Sequence, residues 1–168
     1  GCGHGGQLGF QVPALAADHQ VIVVDERGQG RSGLPASGLS YRAMADDVIA
    51  VLDHLSIGKA AVVGWSDGAI VGLELAMRHG DRVRGVFALA ANLDRSGTRR
   101  PSNPALMTAY YARCKREQAA LQPDGKRRAK ARAALSAMWK REPRIADDEV
   151  RAIAVPLTVA IAEHDELI

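Results

Sequence analysis

Five consecutive residues, Gly64-Trp65-Ser66-Asp67-Gly68, place a serine midway between two glycines with one residue on either side. The apolar run Ala60-Ala61-Val62-Val63 precedes them and reads as a buried strand. Ile70, Val71, Leu73, Leu75 and Met77 follow at helical spacing over residues 67–79, with Gly80 placed to end that helix as a C′ residue. A strand that enters a helix through Gly-x-Ser-x-Gly must turn sharply. Such a turn holds Ser66 in strained backbone geometry with its Oγ exposed beyond the strand end. Gly64 and Gly68 read as positions where a side chain would collide, because strand and helix converge there. The helix N-terminus would direct its dipole and N–H groups at an anion forming near Ser66, the Asp67 N–H among them. That is the chemistry of a nucleophilic serine attacking a carbonyl.

The elements that position this turn follow from the hydrophobic pattern. Residues 21–24, 60–63, 83–89 and 157–161 are apolar, β-rich runs expected as buried strands. Between the first two, Met44, Val48, Val51, Leu52 and Leu55 recur at helical spacing over 41–55, with Ser40 as N-cap. Strand, helix, strand, helix, strand specifies an α/β fold with a mostly parallel sheet and flanking helices. The alternation stops after Ala91. Pro101 and Pro104 open an Ala/Arg-rich helical stretch from 104 to about 142, interrupted at Pro123-Asp124-Gly125. A short helix at 147–153 then leads through Pro156 into the last strand. There is no internal repeat.

At this point the chain resembles the α/β-hydrolase superfamily over nearly its whole length. Asp25-Glu26-Arg27-Gly28-Gln29-Gly30-Arg31-Ser32 is similar to the family's D-x-R-G-x-G-x-S segment, and residues 156–165 resemble the strand that delivers the acid of a catalytic triad. Ala69 stands where a second glycine is commoner after the serine turn. The resemblance implies Ser66 as nucleophile and Asp165 as the acid that orients a histidine. It favours ester-type chemistry over an aspartate nucleophile at Asp67, because only the central residue of the turn is presented. The oxyanion donors it implies are the N–H of Asp67 and a group near Gly1, beside Cys2. The family's histidine follows the acid by roughly 25–30 residues. His4, His19, His54 and His79 precede Asp165, and His164 matches no catalytic position, so the histidine is expected beyond Ile168 and the chain reads as a fragment trimmed at both ends. The expected organisation is residues 1–94 as the first part of the core, 95–154 as a small helical cap, and 155–168 as the core strand carrying the acid. Carboxylic esters, lactones and C–C cleavage substrates all fit the resemblance. So do a cofactor-free haloperoxidase or perhydrolase, an acyltransferase, or a catalytically dead binding protein. No metal and no organic cofactor is implied, and the expected partner is a small acyl substrate.

Composition excludes several other classes. Hydrophobic residues make up 47% and charged residues 24% of 168, an ordinary globular balance. No apolar run approaches a membrane span, no signal peptide opens the chain, and two cysteines are too few for a disulfide scaffold, so a cytoplasmic protein is expected. The net charge of +3 hides an asymmetry: residues 95–144 carry 14 Lys+Arg against 3 Asp+Glu, the rest 8 against 16. The basic run Lys126–Arg132 lacks interleaved aromatic residues and reads as a solvated helix face, not a nucleic-acid site. A cationic cap attracting a carboxylate-bearing substrate is a further expectation. Gly28-Gln29-Gly30-Arg31-Ser32-Gly33 matches G-x-G-x-x-G literally, but Leu34-Pro35-Ala36-Ser37-Gly38 intervenes before any helical pattern. It is expected to serve as a turn and not as a dinucleotide site.

Overall fold

The computed structural model describes residues 3–168, which divide into two compact units. The first unit comprises Leu39–Pro104 and Ala137–Ile168. It holds helix α2 (Tyr41–His54), strand β1 (Ala60–Trp65), helix α3 (Asp67–Arg78), strand β2 (Val83–Leu89), the short helix α6 (Asp147–Arg151) and strand β3 (Leu157–Ala160). The three strands form one parallel sheet in the order β1-β2-β3. Parallel neighbours need crossover connections, and α3 supplies the one between β1 and β2.

Helix α3 packs across β1 and β2, and α2 packs on α3. Ile70, Leu73 and Leu75 of α3, Met44 and Ala45 of α2, and Val83, Val86 and Ala88 of β2 make the buried core. Ser40 caps α2 as expected, its Oγ accepting from the Ala43 N–H at 3.1 Å. Gly72 stands where α3 crosses the sheet, and a Cβ there would meet Val86 Cγ1 at 3.0 Å. The strands are buried on one face only. Val63, Trp65, Phe87 and Val159, which alternate with the core residues, are 57%, 47%, 40% and 63% exposed. Gly80 does not adopt the left-handed cap conformation; α3 passes instead into a short 3-10 turn, Gly80–Arg82.

The second unit contains the described residues up to Gly38 together with Ala105–Ser136. Helix α1 (Gln11–Ala16) lies in its first segment, and its apolar face is too short to have announced itself in the sequence. Residues 21–24, expected as a strand, form none. β-branched residues favour an extended backbone, but a strand exists only where a neighbour completes the ladder, and composition does not report the neighbour. The Asp25–Gly33 segment is a hydrogen-bonded turn. Gly28 N–H donates to Gly33 C=O at 2.7 Å, Asp25 Oδ1 and Oδ2 accept from the N–H groups of Gly5 and Arg31, and Gly30 sits at φ +53°. Residues 34–40 then run without helix to α2, so the turn reading holds over the dinucleotide one. Helices α4 (Pro104–Leu121) and α5 (Gly125–Trp139) are separated at Pro123, and Asp124 Oδ1 caps α5 by accepting from the N–H groups of Lys126 and Arg127. The last residues of α5, Ala137–Trp139, belong to the first unit.

Candidate active site

Ser66 joins β1 to α3 with φ +54° and ψ −119°. A non-glycine residue at positive φ is costly, on the order of 1–3 kcal/mol, and persists only where the surroundings impose it. They do so from both sides. Ser66 N–H donates to Leu89 C=O of β2 at 2.9 Å, which continues the sheet one residue past β1. Ser66 C=O accepts from the N–H groups of Ala69 and Ile70 at 2.8 and 3.1 Å, which starts α3. The strand ladder and the helix ladder therefore meet at one residue. The Ser66 hydroxyl caps no helical N–H and is half-buried.

Gly64 is the tight point of the turn. A Cβ there would meet the Gly68 carbonyl far inside contact distance and the Ala69 nitrogen at 2.6 Å. Gly68 differs from expectation: a Cβ at Gly68 would find nothing within 4 Å, and its φ is not positive. Only one of the two flanking glycines is required by space. The convergence is of the Gly68 backbone onto Gly64, so the crowding falls on one partner.

Asp165 follows β3 at the same carboxyl-terminal end of the sheet where Ser66 follows β1. Trp65, Leu89 and Ala160 share a register row across the three strands. Ala90, immediately after β2, donates its N–H to Ala160 C=O at 2.8 Å and also has positive φ, +55°. With adjacent strands about 4.8 Å apart, β1 and β3 lie roughly 10 Å apart. Ser66 follows the row by one residue and Asp165 by five, both at the carboxyl ends of parallel strands, where sites in open α/β sheets lie. Asp165 Oδ1 accepts from the N–H groups of Leu167 and Ile168 at 2.8 and 2.9 Å. Its Oδ2 has no partner among the described residues.

Asp67 is buried, and its carboxylate is held from two sides. Tyr41 Oη donates to Oδ1 at 2.8 Å and Trp139 Nε1 to Oδ2 at 2.9 Å. Burial first, and then the Asp67 charge, push the Tyr41 phenol far above its ordinary range, so it remains a donor at every working pH. Tyr41 N–H in turn donates to Glu142 Oε2 at 2.9 Å. Sequence reasoning found Asp67 for its backbone N–H and missed Tyr41 and Trp139, which lie 26 and 72 residues away with no spacing rule to join them. Gly1, the other expected oxyanion donor, lies outside the described residues. Among the described residues of this unit no histidine is hydrogen-bonded to Ser66 or Asp165. His79 Nε2 pairs with Asp46 at 2.9 Å, and His54 and His164 are exposed. No helix among the described residues is long and apolar enough to cross a membrane.

Known proteins bear on this geometry. Residues 1–165 match the family described as alpha/beta hydrolase fold. A RutD protein of Azorhizobium caulinodans, designated a carbamate hydrolase, is 46% identical over 85 residues, or 49% of this chain and 32% of that protein. The chain thus spans about a third of the length of the curated relatives it matches. Est816, described as an N-acyl homoserine lactone degrading enzyme, is 28% identical with a TM-score of 0.70, covering 98% of this chain and 72% of its own. The enol-lactonase of Burkholderia xenovorans LB400 is 18% identical with a TM-score of 0.63, covering 98% and 80%, a likeness of fold. The match over residues 1–165, together with the Ser66 turn and the parallel sheet behind it, makes this chain a member of the α/β hydrolase family.

Proposed function

We propose that this chain is the nucleophile- and acid-bearing part of a serine hydrolase that acts on an ester-like carbonyl, a carboxylic ester or lactone. The observation that carries the reading is Ser66 held at positive φ between β1 and α3, at the carboxyl end of the parallel strands, where Asp165 also follows β3. Ser66 Oγ attacks the carbonyl carbon, and its proton passes to a histidine beyond residue 168 that Asp165 orients through Oδ2. The N–H of Asp67 and a donor near Gly1 receive the oxyanion. On collapse of the tetrahedral species the histidine returns that proton to the leaving oxygen and the alcohol departs. The same histidine then takes a proton from water, which attacks the acyl carbon and frees the acid and Ser66. Residues 95–154 form the helical cap of this enzyme, and their basic surface attracts carboxylate-bearing substrates. Relatives named for carbamate and lactone chemistry support a carbonyl flanked by a heteroatom.

Fluorophosphonate labelling of the full-length protein tests the reading. The expected result is one covalent adduct on Ser66, absent from Ser66→Ala. A folded full-length protein that takes no label overturns it in favour of a binding role.

A further inference from the structure

The loop that carries Asp165 is gripped from outside, and Glu166 supplies the grip. Glu166 Oε2 accepts from the Asn103 N–H at 2.8 Å, and the Ser102 hydroxyl lies 3.0 and 2.9 Å from the two carboxylate oxygens. These two donors stand immediately before Pro104, the first residue of α4. Three residues earlier the backbone joins the same loop. Arg99 N–H donates to Leu167 C=O at 2.8 Å, and Arg99 Nη2 donates to Asp165 C=O. Segment 99–103 therefore holds residues 165, 166 and 167 one after another. The Asn103 N–H, followed by the Ser102 hydroxyl, keeps the Glu166 carboxyl below its ordinary range, consistent with an ionised acceptor.

The grip has a consequence for its neighbour. Asp165 spends Oδ1 on the N–H groups of Leu167 and Ile168 and leaves Oδ2 without a partner among the described residues. Which way Oδ2 faces is set by the backbone of the 165–168 turn. Its four residues are half-buried and none lies in the core, so burial alone does not fix it. Hydrogen bonds to segment 99–103 do.

We infer that Glu166 is a positioning residue for Asp165, acting through Ser102 and Asn103 to hold the acid loop in the orientation that presents Oδ2. The inference rests on Asp165 being the acid of the proposed triad. A mispositioned acid weakens the transition state without removing substrate contacts, so kcat falls and KM does not.

The test uses the full-length protein and a p-nitrophenyl ester, with active sites counted by fluorophosphonate. Glu166→Ala is expected to lower kcat per labelled site about tenfold or more with KM within about twofold. Ser102→Ala should fall in the same direction, and Glu166→Gln, which keeps an acceptor, should recover part of the loss. Backbone hydrogen exchange should quicken in both 99–103 and 165–168 of Glu166→Ala. Should Glu166→Ala fail to fold, Ser102→Ala and Glu166→Gln carry the comparison. Wild-type kcat per labelled site in the variants overturns the positioning role alone. A wild-type protein that takes no label overturns the hydrolase reading and the positioning role with it.

Discussion

Tyr41 and Asp67 are joined by a 2.8 Å hydrogen bond inside the fold, 26 residues apart in sequence and adjacent at the start of α3. The carboxylate follows Ser66 directly, so whatever holds Asp67 also holds the first turn of the helix behind the serine. Trp139 completes the arrangement from the end of α5. A buried carboxylate loses its hydration and is tolerable only if donors replace it.

Removing either donor should therefore cost more than an ordinary hydrogen bond. Tyr41→Phe keeps the ring and deletes the hydroxyl, and its expected cost is about 1.5–3 kcal/mol, the range for bonds to charged groups. Trp139→Phe should cost a similar amount for the bond plus lost packing. Because both donors serve one carboxylate, the double variant should deviate from additivity by more than about 0.5 kcal/mol. Urea unfolding of the four proteins gives the cycle. Strict additivity would mean that the two bonds do not share a load.

The two glycines of the turn should behave differently. Gly64→Ala drives a methyl into the Gly68 carbonyl and the Ala69 nitrogen, both backbone, so no side chain can rotate away. Overpacking of this kind costs about 3 kcal/mol or more where the backbone must shift. Gly68→Ala meets open space within a helix, where alanine is favoured over glycine by about 1 kcal/mol. Thermal melts should place Gly64→Ala well below and Gly68→Ala at or above the parent. A Gly68→Ala variant as damaged as Gly64→Ala would contradict this account of the crowding.

Much of this frame is legible in the residues because it is local. The 3.6-residue pattern of Met44, Val48, Val51 and Leu52, with Ser40 before it, specifies α2 and its cap. The β-branched runs of β1 and β2 and the Gly-x-Ser-x-Gly between strand and helix specify the turn. What failed was what depends on partners. Residues 21–24 have strand composition and no ladder, and Gly68 has the right type but no crowding at its own position. The hold of Tyr41 and Trp139 on Asp67, and of Ser102 on Glu166, joins residues 26, 72 and 64 positions apart. Only the fold makes them neighbours.

Glu74 gives a pH-dependent prediction. It lies half-buried on α3, and burial raises its carboxyl above the ordinary value near 4.5; Glu149 and Glu142 add to this while Arg78 opposes it. A raised carboxyl binds its proton more tightly folded than unfolded, so its ionisation subtracts stability as pH rises through that interval. Glu74→Gln should accordingly raise the melting temperature at pH 7. The gain should shrink as pH falls through the raised value and vanish below about 4, where both states are protonated. A gain that is the same at pH 4 and pH 7 would assign it to packing or helix propensity instead of ionisation.

Ser66 separates strain from chemistry. At φ +54° and ψ −119° its backbone occupies a region that glycine enters freely and other residues do not. Ser66→Ala removes the hydroxyl and keeps the Cβ, so it abolishes the proposed nucleophile without relieving the backbone. Ser66→Gly abolishes it and relieves the strain as well. The relief is on the order of 1–3 kcal/mol, offset by about 0.5–1 kcal/mol of extra unfolded-state entropy. Ser66→Gly should thus be more stable than Ser66→Ala by about 1 kcal/mol, a direction that the N-cap position of Ser66 also favours. Denaturant midpoints of the two variants at constant m-value measure the difference. If Ser66→Ala is the more stable, the turn is not strained and its positive φ is no part of how the hydroxyl is presented. If Ser66→Gly is the more stable, the fold maintains at this residue a conformation that opposes its own stability, and the placing of the hydroxyl at the strand–helix turn is what that conformation provides.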